Sequence, residues 1–150
     1  EMRTLQLRSG DLVLAGNSYG MVKGIARVQQ QVGLGLREAY GSDRFHPGWG
    51  SVLPEWIGRV IDRQSLDQDV RAEIIRIVKN FMASQAALIK GRAAGGLRPV
   101  LSPGEVIADI SDIRITQSQD QLIVKATLRM ASGQEFAVMT SPGRPDGYTQ

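Results

Sequence analysis

The chain has 150 residues, of which 42% are apolar and 22% charged, with no cysteine and one histidine, His46. That composition describes one soluble globular domain over residues 1–150, long enough to bury a core without disulfides or metals. It excludes thiolate zinc sites, cysteine nucleophiles and multi-histidine metal sites.

The apolar runs are far too short for a membrane span, and no charged n-region leads into an apolar run, so no membrane partner and no signal of its own are expected. Glu1 ahead of Met2 fits a chain that begins after a processed or omitted segment. The net charge of +3 and pI of 9.6 admit a nucleic-acid reading.

Asp11 to Ala15, closed by Gly16, Asn17 and Ser18, reads as a small N-terminal β element. From Met21 to Tyr40, Val22, Ile25, Val28, Val32, Leu36 and Ala39 recur at helical spacing, with Gly41 as C-cap and Gly33 and Gly35 allowing close packing. Ser51 caps a second expected helix, with Pro54 in its first turn and Leu53, Trp56, Ile57, Val60 and Ile61 as its stripe. Ser65 with Gln68 matches a capping box opening a third, whose face runs Leu66, Val70, Ile74, Ile77, Val78, Phe81, Gln85 and Leu88 up to Gly91.

A small-residue loop over about 91–105 divides this helical half, about 20–91, from a strand half over about 106–140. There Leu122, Val124, Ala126, Leu128 and Met130 alternate with Ile123, Lys125, Thr127 and Arg129, the period of a half-buried strand. Val106 to Gln117 and Gln134 to Thr140 flank it across short turns. The expected fold is therefore α+β: an N-terminal β element, three helices, then a C-terminal antiparallel three-stranded meander packed on the helices.

Candidate chemistry is sparse. His46 has Ser42 and Asp43 beside it in sequence, which is not a triad. Glu55, Asp62, Glu73 and Glu105 are the carboxylates a glycosidase could use, and no pair of them is singled out by spacing. Gly33 and Gly35 lack the residues of a P-loop or dinucleotide fingerprint. No enzymatic activity, cofactor or metal is expected.

Between Arg71 and Arg98 the cations Arg71, Arg76, Lys79, Lys90, Arg92 and Arg98 meet only one acid, Glu73. With Phe81 the single aromatic there, stacking on nucleic acid is not favoured. Arg71, Arg76, Lys79 and Arg92 suit acidic protein partners instead. Gln134 to Thr140, with Phe136 and Val138 on one face, is the expected sheet edge, open to β-augmentation by a partner strand. Gly41, Asp43, Arg44, Pro47, Trp49 and Gly50 read as a structural turn pinned by rings.

At that turn the sequence resembles the gene product 25-like family of phage baseplate wedge proteins and sheath-initiating subunits. The likeness lies in Gln29 to Gln31, Leu36, Gly41, Asp43 with Arg44, then Pro47, Trp49, Gly50 and Leu53, preceded by Gly10, Asp11 and Leu12. It extends through the long helix and the terminal strands. The resemblance implies a structural subunit of a tail baseplate, a wedge component or sheath initiator, in several copies per particle. It would contact wedge, tail-tube and sheath proteins in the virion, after assembly in the host cytoplasm. The alternatives are a small basic adaptor that binds nucleic acid and a lysozyme-like cell-wall hydrolase.

Overall fold

The computed structural model describes residues 2–8, 11–53, 63–118 and 121–141. Six short strands open the chain: β1 Arg3–Leu5, β2 Leu7–Arg8, β3 Asp11–Leu12, β4 Leu14–Ala15, β5 Ser18–Tyr19 and β6 Met21–Lys23. They pair antiparallel as β1 with β6, β2 with β3 and β4 with β5. Where the pairs meet, a ring of backbone bonds joins Gln6 N–H to Gly20 O (2.8 Å), Gly20 N–H to Val13 O (2.7 Å) and Val13 N–H to Gln6 O (3.0 Å). The N-terminal β element is thus present, but as three two-stranded sheets rather than one run. Strands this short carry no alternation to read.

Helix α1, Gly24–Arg37, starts later than Met21 because Met21 to Lys23 are taken by pairing with β1. Its buried side includes Val28, Val32 and Leu36. Gly35 packs against α2, Arg63–Ala94: a Cβ there would lie 2.8 Å from Phe81 Cε2, so only glycine fits.

The three-helix expectation is corrected, since the described residues carry two helices. The stripe expected over Trp56, Ile57, Val60 and Ile61 lies outside the described residues. At Ser51, the described residues show one bond of its side chain, the Leu53 N–H donating to Ser51 Oγ at 3.0 Å. The capping box is also corrected: Ser65 and Gln68 lie inside α2, which begins at Arg63.

Helix α2 runs past Gly91 to Ala94. It closes where Leu97 N–H reaches Arg92 O (2.9 Å) and Gly96 N–H reaches Ala93 O (3.1 Å), with Gly96 at φ +65°. This is a Schellman stop, which needs a residue free to take positive φ. Gly91 has no such role, so the helix passes through it.

Strands β7 Ile107–Ser118, β8 Gln121–Met130 and β9 Glu135–Thr140 form a meander in the order β7-β8-β9. Its alternating face is the one the period-two pattern marks: Leu122, Val124, Ala126, Leu128 and Met130 are all buried. They join Val28, Val32 and Leu36 of α1 and Leu66, Val70, Ile74, Ile77, Val78 and Phe81 of α2 in one core. Two bulges break β7 between Ile107 and Asp109 and between Ile110 and Asp112. Helix α2 lies along this strand, with Gln85 bonded to Glu105 O and Ile107 N–H and Arg71 bonded to Ile113 O.

Candidate functional site

The corner between Ala39 and Ser51 closes on itself through Tyr40 N–H to Ser51 O (3.0 Å) and Ser51 N–H to Glu38 O (2.6 Å). Gly41 (φ +74°) and Gly50 (φ +90°) make its bends, and a Cβ on Gly50 would fall on the Ala39 carbonyl. Asp43 Oδ1 accepts from the N–H groups of Phe45 (2.8 Å) and His46 (3.2 Å). Asp43 Oδ2 lies 3.1 Å from His46 Nδ1. The Phe45 N–H first, then the His46 ring, hold the Asp43 carboxyl below its ordinary value.

Trp49 stacks edge-on against Phe81, centroids 4.6 Å apart. Arg44 and Pro47 are exposed, and Phe45 stands 85% exposed at the tip. His46 has only Asp43 and the Trp49 ring as partners among the described residues.

Helix α2 holds this corner by one ion pair. Arg76 meets Glu73 through Nε (2.8 Å) and Nη2 (2.7 Å), and the same Nη2 donates to Gly50 O at 2.7 Å. The guanidinium also lies 5.1 Å from the centre of the Tyr40 ring. Glu73 Oε1 accepts the Val52 N–H at 3.0 Å. Burial raises the Glu73 pKa, but the Arg76 hydrogen bonds and the Val52 N–H outweigh it, leaving the carboxyl below its ordinary value. The Arg76 pKa rises in turn, chiefly through its bond to Glu73.

Of the four cations expected to face a partner, Arg76 is therefore engaged by the corner. Arg71 donates to Asp67 Oδ2 and to Ile113 O, both at 2.7 Å. Arg92 donates to Arg98 O at 2.8 Å. Lys79 is exposed, beside a groove of about 460 Å³ walled by Ile75, Met82 and Ile110.

At the other side of the sheet, Phe136 is half-buried and Val138 buried, so both turn toward the core, while Gln134 is exposed at the turn. What β9 offers outward is its backbone. Met130 N–H bonds to Gln134 O (2.8 Å), and from there antiparallel alternation directs the backbone groups of Glu135, Ala137 and Met139 away from β8. Helix α1 occupies one of them, Gln29 Nε2 donating to Ala137 O at 2.8 Å. No strand pairs on that side among the described residues. A groove of about 320 Å³ runs beside it, lined by Gln6, Leu7, Val22, Gly33, Arg37 and Met139, among others.

The sequence marks Gln29 only as part of the Gln29 to Gln31 run that carries the resemblance; its bond to Ala137 O was not legible there, because it depends on where β9 lies. Glu55 and Asp62 lie outside the described residues, and Glu105 is buried beside Arg27. No three metal-ligating side chains cluster among the described residues, and no helix among them is long and apolar enough to cross a membrane. No family model, no curated protein and no solved structure matches the chain.

Proposed function

We propose that the chain is an assembly subunit without catalytic chemistry, and, following its resemblance to the gene product 25-like family, a structural component of a phage tail baseplate. In that role it acts as a wedge part or sheath initiator, in several copies, gripping wedge, tube and sheath neighbours. The observation that carries the reading is the outer edge of β9, on which no strand pairs among the described residues and beside which a groove runs. An extended partner segment laid there would bond to the backbone of that edge by β-augmentation.

Other uses of the surface have less support. Arg71 and Arg76 already serve their own chain's carboxylates and carbonyls, which weakens a nucleic-acid groove on α2. A hydrolase needs a carboxyl raised in pKa to donate a proton. Glu73 is displaced the other way.

Met139→Lys tests the proposal, because Met139 is exposed and an edge lysine blocks strand addition. The variant should melt as the parent does and lose about tenfold or more in incorporation into particles. Normal incorporation overturns the edge as a docking site. Tight binding to duplex DNA with a steep salt dependence overturns the assembly reading altogether.

A further inference from the structure

Helix α2 meets β7 along one stripe, Arg71, Ile75, Lys79, Met82 and Gln85, spaced at threes and fours. The two polar ends of the stripe are clamps. Arg71 Nη1 donates to Ile113 O at 2.7 Å, while Gln85 donates to Glu105 O (2.8 Å) and accepts from Ile107 N–H (2.9 Å). Between the clamps β7 carries its two bulges, which leave Ala108 and Ser111 opposite no residue of β8. A bulge bends the strand that carries it. The space between helix and strand opens there as the groove of about 460 Å³, with Ile75, Lys79 and Met82 on one wall and residues 109–113 on the other.

The walls are apolar where Ile75, Met82 and Ile110 stand, each half-buried against the core. All but one of the charges along them are already paired. Arg71 meets Asp67 at 2.7 Å, Asp112 meets Arg114 at 2.9 Å and Asp109 meets Arg129 at 3.0 Å. Lys79 has no partner among the described residues, so its ammonium is the one uncompensated charge of the groove.

Such a site selects an apolar body that carries a single anionic group. The volume lies within the roughly 300–1,000 Å³ of small-molecule sites, and a cavity of about 150 Å³ already admits a benzene ring. A partner strand laid along β7 would have to break both clamps. A phosphate ester would bring its second negative charge toward the wall that holds Asp109 and Asp112. An amine would have to displace Arg114 or Arg129 from those acids and would stand near Lys79. We infer that this groove binds a small apolar carboxylic acid, with its carboxylate on the Lys79 ammonium and its aliphatic or aromatic body between Ile75, Met82 and Ile110. Met82 suits such a wall, since an unbranched thioether adapts to what it packs against. The inference goes beyond the β9 edge and does not depend on it.

Phenylbutyrate is the probe, titrated into the full chain labelled at its Ile and Met methyl groups and followed by NMR. The expected result is a saturable shift of the Ile75, Met82 and Ile110 methyl signals, with a dissociation constant of about 1 mM or below. Lys79→Gln should weaken binding about threefold to fivefold while melting as the parent does, and Lys79→Arg should keep it. Phenylbutanol and phenylbutylamine, which share the body and lack the carboxylate, should bind about threefold or more weakly than phenylbutyrate. No saturable shift at these methyl groups, equal binding of the alcohol or the amine, or unchanged binding by Lys79→Gln overturns the inference. Shifts confined to Met139 place the probe in the groove beside β9 and overturn it as well. Failure here leaves the β9 edge standing, since Met139→Lys tests that edge by incorporation into particles.

Discussion

Burial alone would push the Glu73 carboxyl upward, yet two donors of its own chain hold it ionised, which makes it a clamp for the Tyr40 to Val52 corner. A carboxyl lowered by folding adds stability above its ordinary value of 4.5 that is lost as pH falls through the lowered folded value. Glu73→Gln should therefore destabilise by about 1–3 kcal/mol near neutrality. Urea unfolding of the variant should fall less steeply than the parent's below about pH 5. A second buried pair is looser: Arg27 and Glu105 are 3% and 5% exposed in their side chains but stand 3.6 Å apart. Arg27 Nε and Nη2 and Glu105 Oε1 have no hydrogen-bond partner among the described residues. Arg27→Met alone should cost about 3–5 kcal/mol by stranding the carboxylate, whereas adding Glu105→Gln should recover part of that in a double-mutant cycle.

The elements give a matched pair of glycines. Gly35→Ala forces a methyl onto the Phe81 ring and should cost about 1–3 kcal/mol. Gly33→Ala meets only Val138 Cγ1 at 3.8 Å, an ordinary contact, and should stabilise α1 by about 0.5–1 kcal/mol; thermal melts of the two variants should move in opposite directions. Strand β8 and the face of α2 were legible because long periodic runs meet one shared core. The boundaries were not. Met21 and Val22 fit a helical spacing and equally a strand, and pairing with Leu5 and Thr4, distant in sequence, decided between them. Ser65 and Gln68 match a capping box by spacing alone, and the helix simply includes them. At the candidate site, the pinned turn was readable from Gly41, Gly50 and Trp49. That Arg76 serves this turn was not, because Gly50 O lies 26 residues away in sequence.

At the scale of the whole molecule, the described residues form a core of two helices and a meander, with an outlying β element that contributes nothing to that core. Amides of residues 5–8 and 11–21 should therefore exchange with solvent faster than those of Val124 to Leu128, as a separate unit. Gln30→Ala removes both of the side-chain bonds Gln30 makes to Leu5 and Leu7. It should speed exchange in the outlying element while leaving β8 protected, and equal acceleration in both would show that the two open together. The partition also explains the mixed yield of sequence reasoning. Its rules read burial, and the N-terminal surface is organised around what stays outside.

The seven-residue spacing of Gln6, Val13 and Gly20 has a consequence for how the chain tolerates change in length. A residue gained or lost between two of these positions would shift the frame and unlock the ring of bonds, whereas material added at the Gly16–Asn17 tip lies beyond the last rung, Ala15 with Ser18. That tip is where an epitope or a fluorophore-bearing graft would ride on the molecule without disturbing the knot beneath it.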